Sequence, residues 1–363
     1  MVEKNPCLRG EGHLIDFFGC GYDAAERLGL VRDLERIHQP AERLVFVDVR
    51  GRERFALPYP ALRQRLFGGR HFNVLRGDLE SLLYARVQDN MAVHFGTTVE
   101  WFQEEPGQIR VVLSDGRTKE VDVLVGADGR HSHVRRLAYR DEGCFERSLG
   151  FRIGAFVHDG ASESLPSVND FFTLSVPGRQ VAAYPIRDGR IAVTFLHRLA
   201  CREEEAAEAT PLAELRAVYG DLGWIVPELL ERYPADGGLC FDTMSQVELP
   251  RWRRGRVTLV GDACQSVSLL AGQGASLALA GAYVLAEELD RAAGDVVQAV
   301  IHYEGRLRPW VAKRQAVGRR IARWSVPRTS ARLAFRDLIL RASSGPLMAP
   351  IFRGALGTDT LRL

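Results

Sequence analysis

The stretch that most constrains this chain runs from Arg256 to Leu289, RVTLVGDACQSVSLLAGQGASLALAGAYVLAEEL. Val257 to Val260 form a short apolar, β-branched run ending at Gly261-Asp262, which predicts a buried strand that stops at a polar residue. Beyond the loop Ala263 to Leu270 comes Ala271-Gly272-Gln273-Gly274, then a segment so rich in Ala, Leu and Gly that it predicts a buried helix. A strand delivering one carboxylate to its C-terminal end, followed by a glycine turn opening a helix, brings backbone N–H groups and a positive helix end to one place. A polar ligand edge would fit there. An ordinary strand-loop-helix unit carries the same pattern, so a functional reading needs a second motif.

At 363 residues the chain has room for roughly two domains, each with its own core. A formal net charge of +2 gives no global reason to expect nucleic acid as a partner. Cys7, Cys20, Cys144, Cys201, Cys240 and Cys264 lie far apart without paired spacing, so neither a metal site nor a disulfide framework is predicted. A reduced, cytoplasmic setting fits this cysteine usage. The start, MVEKNPCLRG, has no apolar signal core, and no run of about 18 apolar residues suited to a membrane span is found.

Met1-Val2-Glu3-Lys4 reads as the end of a strand closing on an acidic residue, which in a dinucleotide fold lies on the adenosine ribose. The glycine-rich phosphate loop of such a fold precedes that acid by about 20 residues. The expectation is therefore a dinucleotide fold lacking its first strand, G-x-G-x-x-G turn and first helix; Glu3 as a plain surface residue is the alternative. Gly19-Cys20-Gly21-Tyr22-Asp23-Ala24 does match G-x-G-x-x-A, between the apolar Leu14 to Phe18 and a helical Ala24 to Leu34. Asp16 would fall inside the proposed strand, and the match is set aside as a decoy.

Ala41 to Leu66 carries alternating segments joined at Arg50-Gly51-Arg52, a hairpin expected over the substrate side. Arg76 to Val87 predicts a helix with Asp78 in its first turn. A second hairpin, Ile109 to Leu113 and Glu120 to Val125 about the turn Ser114-Asp115-Gly116-Arg117, runs into LVGADGRHSHVRR, residues 124–136. The logic of the first motif repeats there: an apolar strand, Asp128 between small residues, then a helix carrying Ser132 and Arg135. Small residues permit close backbone approach, and Asp128 can accept hydrogen bonds from ribose or ribityl hydroxyls.

The two motifs in this order resemble the group A flavoprotein monooxygenases, the para-hydroxybenzoate hydroxylase-like family that includes the tetracycline-inactivating monooxygenases. The resemblance covers nearly the whole chain, with Arg9 to Phe17 similar to the segment passing the flavin and Arg76 to Leu79 to the family's R-x-x-L helix start. It implies that Glu3 holds the adenosine ribose, Arg9 approaches the nicotinamide cofactor, Asp16 and Arg76 contact FAD, and Asp128 with Arg135 forms the D-G site. Asp262 would bind the ribityl hydroxyls, and the backbone of Gly272 to Gly274 would face the pyrimidine end of the isoalloxazine. Gln265 and Leu269 stand where the family usually has histidine and proline.

The implied fold is α/β: a Rossmann-like FAD-binding domain, lacking its first βα unit, with an inserted antiparallel-sheet substrate domain and a long C-terminal helix. Residues 1–148 and 250–296 would form the FAD domain, with 41–72 able to contribute to the substrate side, 149–249 the substrate domain and 297–363 a helical region. The implied activity is NAD(P)H- and O2-dependent hydroxylation of an aromatic or polyketide-like molecule through a C4a-hydroperoxyflavin. A flavin-dependent reductase, dehydrogenase or halogenase would share these motifs, and a non-catalytic remnant is a further reading.

Ser148 to Val157, Phe171 to Val176, Gln180 to Pro185 and Arg190 to His197 predict an antiparallel sheet, with His197, Tyr184, Phe195 and Met244 as lining candidates and no acid or base assignable. Tyr303 to Arg341 holds eleven Lys or Arg against two acidic residues, with Leu307, Trp310, Val311, Val317, Ile321 and Trp324 interleaved. Such a helix can lie on an anionic membrane surface, but a structural helix with a solvated basic face is preferred. The tail Leu347 to Phe352 is expected near the active-site mouth or on a partner. Monomer and homodimer both fit.

Overall fold

A computed structural model describes residues 1–8, 10, 13–139, 145–158, 165, 167–199, 210–233, 240–267 and 272–343. Arg9, Leu269 and the tail Leu347 to Phe352 lie outside these described residues. No described helix is long and apolar enough to cross a membrane.

Both acidic motifs leave one small sheet. The strand Leu124–Gly126 runs parallel to Val257–Leu259, with Gly126 beside Leu259, and Arg253–Arg254 pairs on the other edge of the latter strand. Val257, Thr258 and Leu259 are all buried, as expected for a strand covered on both faces. Gly126 is required by close approach: a Cβ there would lie 2.7 Å from Leu259 Cδ2 and 2.9 Å from Val134 Cβ. The core around this sheet joins Val134, Trp252, Leu277, Val284, Tyr303 and Leu307, so the helices Gly274–Arg291 and Val296–Ser325 pack against it.

The Leu14–Phe18 strand pairs antiparallel with His71–Leu75, setting Asp16 opposite Asn73 and Phe18 opposite His71. The expected helix Ala24 to Leu34 forms as two, Cys20–Arg27 and Val31–Ile37, because Gly29 adopts φ +68° between them. The glycine motif set aside as a decoy serves packing. A Cβ on Gly21 would sit 2.5 Å from Ser276 Cα, so this glycine lets the helix Cys20–Arg27 close on Gly274–Arg291. Val2–Glu3 pairs in parallel with His94–Phe95.

The largest sheet has seven strands. Its antiparallel portion comprises Cys240–Val247, Glu146–His158, Ile191–Arg198, Arg179–Pro185 and Asp170–Val176. The hairpin Arg43–Val47 and Glu53–Pro58 then extends it, with Arg43–Val47 running parallel to Asp170–Val176. One sheet face carries Phe156, Phe172, Val181, Val193 and Phe195 and is covered by the helices Pro211–Tyr219 and Val226–Glu231. Alternation sends Phe171, Tyr184 and Ala192 to the opposite face, where they meet Leu14, Tyr59 and Leu75.

The basic C-terminal segment is two helices, Val296–Ser325 and Ser330–Ser343. The first bridges the large sheet to the loop after Asp262: Gln315 Nε2 donates to Val247 O at 2.7 Å and to Ser266 O at 3.0 Å. Gln246 Nε2 in turn donates to Val267 O at 2.7 Å and to Gln315 O at 2.9 Å. Four carbonyls are thereby satisfied by two buried amides in a place where water is scarce.

Candidate functional site

Asp262 begins the short helix Asp262–Gln265, directly after Gly261 at φ +62°. Its carboxylate faces solvent at its surface yet is hemmed in by protein, and this burial pushes its carboxyl above the usual carboxylate value, opposed by the charges of Arg130 and Arg76. It accepts no hydrogen bond from the described residues. A Cβ on Gly274 would lie 3.8 Å from Asp262 Oδ1, which places the carboxylate in front of the helix Gly274–Arg291. The N-cap side chain, Gln273, makes no capping bond to that helix. A carboxylate unsatisfied by the described residues and a helix N-terminus that its N-cap side chain leaves open form a set of acceptor and donors suited to a hydroxyl-rich polar ligand.

Asp16 and Arg76 border the same place. Gly272 has φ +62°, and a Cβ there would lie 3.3 Å from Asp16 Oδ2. The left-handed backbone favours glycine here, and a Cβ would press on the Asp16 carboxylate. Arg76 is the exposed first residue of the helix Arg76–Val87, with Glu80 at 3.8 Å. Its backbone N–H donates to His13 O at 3.2 Å. Burial, and secondarily the Arg76 charge, pull the His13 imidazole down to about 4.

Asp128 plays a more local part than a free ribityl acceptor. Its Oδ2 accepts from His133 N at 2.6 Å and Val134 N at 2.9 Å, while Oδ1 accepts from the Ser132 hydroxyl. It therefore closes the N-terminus of the helix His133–Ala138 together with Ser132, whose Oγ accepts from Arg135 N at 2.9 Å. Arg135 is buried and donates to Ala263 O at 2.9 Å and Arg130 O at 2.7 Å. It joins the loops that follow the two acidic motifs. Arg130 Nη1 donates to Glu146 Oε2 at 2.9 Å and to Ser245 Oγ at 2.5 Å, extending this tie to the large sheet.

Glu3 lies at the end of its strand, but its Oε1 is occupied by Asn5, from the backbone N–H at 2.8 Å and the side-chain amide at 2.6 Å. Gln265 is buried, donates to Tyr303 OH at 2.7 Å and packs against Gly281, where a Cβ would clash at 2.6 Å. The amide thus anchors the Asp262 loop to the helix Val296–Ser325 through Tyr303.

Of the lining candidates, Tyr184 alone lies beside Asp16, whose negative charge, after burial, raises its phenol further. Phe195 and His197 point to the helix-covered face, where His197 meets Glu214 Oε1 at 3.0 Å and Tyr219 OH at 3.3 Å. Met244 packs with Phe151, Leu196 and Ala322. Strand parity decides these outcomes, since residues of one parity face the helices and those of the other face Leu14 and Tyr59. Sequence reasoning missed Tyr59, Phe171 and His71. Tyr59 and Phe171 have ring centroids 5.5 Å apart, and Phe171 and Tyr184 4.9 Å apart.

Comparison with known proteins gives this geometry a family. Residues 72–325 match the FAD binding domain family. The chain is 32% identical over 318 residues to the uncharacterized protein Rv1260 of Mycobacterium tuberculosis, covering 87% of this chain and 84% of the relative. It is 30% identical over 326 residues to a flavin-dependent monooxygenase from an unknown prokaryotic organism, covering 88% and 81%. A crystal structure of the tetracycline destructase Tet(55) superposes with a TM-score of 0.83 at 26% identity, spanning 100% of this chain and 91% of that one. A domain match spanning the paired motifs and the antiparallel portion of the large sheet, with a relative of this identity over most of its length, settles the family: the chain belongs to the FAD-dependent, aromatic-hydroxylase-like monooxygenases.

Proposed function

We propose that this protein uses NAD(P)H and O2 to hydroxylate an electron-rich aromatic or polyketide-like small molecule. The observation that carries the reading is the Asp262 carboxylate, unsatisfied by the described residues and set in front of the helix Gly274–Arg291, whose N-cap side chain makes no capping bond. These residues fit FAD: Asp262 can accept from ribityl hydroxyls, and Gly272 leaves space beside Asp16 that a Cβ would fill. When bound, FAD supplies the redox chemistry, accepting a hydride from the nicotinamide and passing electrons to O2.

The chain's own residues do the rest. The positive end of the helix Gly274–Arg291 favours negative charge placed before it. Arg76 and Asp16 orient the cofactor from the opposite strand pair. Arg135, Arg130 and Gln315 hold the motif loops together, so the polar groups stay aimed without reorganisation. Tyr59, Phe171 and Tyr184 offer an aromatic wall on the sheet face beside Asp16, suited to an aromatic substrate and to keeping water out. The aromatic character of this wall supports the substrate class, as does the likeness to a tetracycline destructase.

The test is the visible spectrum of the purified protein, followed by turnover of a panel of phenolic and polyketide compounds with NADH or NADPH under isotopically heavy O2. Flavin bands and one heavy oxygen atom in the product are expected. A colourless protein, or turnover with no label in product, would overturn the proposal.

A further inference from the structure

His71 is a buried titratable residue beside Asp16 whose role the reading above leaves open. It is 2% exposed, and its Nε2 lies 3.1 Å from Asp16 Oδ1. An ionised carboxylate only accepts, so the imidazole proton in this contact resides on Nε2. His71 Nδ1 is buried and meets no hydrogen-bond partner among the described residues. Among the described residues the ring makes one side-chain hydrogen bond, and it is with Asp16.

The pairing is built into the strands. Asp16 stands opposite Asn73 and Phe18 opposite His71, so His71 and Asp16 are diagonal neighbours on one face of the two-strand ladder. Three rings confine the imidazole. Phe67 stacks on it at 4.8 Å with an interplanar angle of 12°, Phe18 lies tilted at 5.8 Å, and Tyr59 meets it edge-on at 6.1 Å. Tyr59 is itself fixed by its hydroxyl, which donates to Asn73 Oδ1 at 2.7 Å. A side chain held this way cannot swing to follow a mobile partner. It dictates where the partner points.

Asp16 is the partner that needs direction. Its side chain is 49% exposed, and while Oδ1 faces His71, Oδ2 is the atom that a Cβ on Gly272 would approach to 3.3 Å. One carboxylate oxygen is thus anchored to a rigid buried donor and the other is presented at the glycine turn.

We infer that His71 is a positioning residue for the flavin site: through its Nε2–H it locks the Asp16 carboxylate in the rotamer that presents Oδ2 at Gly272, on the side where FAD would be held. This inference rests on the FAD reading above. A hydrogen bond to a charged acceptor has a strength that translates into roughly tenfold or more in an equilibrium when removed.

The experiment compares FAD dissociation constants and the visible spectrum of bound flavin for the wild type, His71→Leu, His71→Gln, Asp16→Ala and the double variant His71→Leu/Asp16→Ala. His71→Leu is expected to weaken FAD about tenfold and shift the flavin bands. His71→Gln, which keeps an N–H donor, should stay within about threefold of wild type. In the Asp16→Ala background, which has no acceptor for His71, His71→Leu should change little, because the residue acts through that carboxylate. Wild-type affinity and spectrum in His71→Leu, or an equal loss with and without the Asp16 carboxylate, would overturn the inference. A wild type that binds no FAD would instead fail the reading beneath it. Circular dichroism of the His71→Leu protein separates a folding defect, and in that event His71→Gln against Asp16→Ala supplies the decisive comparison: a donor-retaining variant as weak as the carboxylate-deleted one overturns it.

Discussion

Arg135 donates from Nη1 to the main-chain carbonyl of Ala263 at 2.9 Å, across 128 positions of sequence. Ala263 is the residue after Asp262, and Arg135 lies in the helix capped by Asp128, so one guanidinium spans the loops of both acidic motifs. The parallel pairing of Gly126 with Leu259 brings the two strand ends together, and Arg135 then fixes the loops that leave them.

Replacing Arg135 with methionine keeps much of the apolar stem but strips hydrogen bonds from Ala263 O and Arg130 O and leaves Glu146 with one cation fewer. A loss of about 3 kcal/mol in folding stability is expected, together with weaker FAD binding. Urea denaturation and a flavin titration measure the two effects; unchanged stability would show that the tie contributes nothing net.

Gly126→Ala tests the close approach of the motif strands. The new methyl meets Leu259 and Val134 inside van der Waals contact, and neither neighbour lies on a free surface. Destabilisation of about 1–3 kcal/mol follows from such overpacking. The midpoint of thermal unfolding, compared with that of Gly116→Ala in an exposed turn at φ +83°, separates the packing effect from backbone strain.

Asp262 has opposite effects on folding and on binding. Because burial raises its carboxyl, the unfolded chain ionises first as pH rises past 3.8, and ionisation then penalises the folded state. Asp262→Asn is therefore expected to raise the melting temperature of the FAD-free protein at pH 7 and to gain less as pH falls toward 4. The same variant should lower flavin content. A full complement of FAD in Asp262→Ala would remove this residue from the cofactor site.

His13 and His38 give acid sensitivity of the reverse sign. Both are pulled down to about 4, chiefly by burial. The unfolded chain takes up protons at about 6.5 while the folded protein holds out, so stability falls as pH drops from about 6.5 toward 4. His13→Asn with His38→Asn should flatten that slope in chemical denaturation between pH 7 and pH 4.5. An unchanged slope would assign the acid sensitivity elsewhere.

Much of the architecture was legible in the chain itself. The apolar run Val257 to Val260 and the Ala/Leu/Gly segment after Gly274 specify a buried strand and a buried helix by composition alone, and both form. The glycine at 272 and the lone carboxylate at 262 could be singled out because positive φ and an acid at a strand end each demand a particular residue type. The break at Gly29 and the turn-out of Phe195 and His197 show the limit. A helix pattern does not reveal which glycine takes left-handed backbone, and a strand pattern gives two faces without saying which one a helix will cover.

Tertiary structure decided the partners. Nothing local tells Arg135 to reach Ala263, Gln315 to reach Val247 and Ser266, or His71 to grip Asp16 from the neighbouring strand. Those choices depend on strand register and on which loops converge, which are set by packing between segments far apart in sequence. The residue types at the site were therefore written in the sequence, while the direction each one points was fixed only when the strands and helices closed on one another, since burial and hydrogen-bond geometry are properties of the assembled fold.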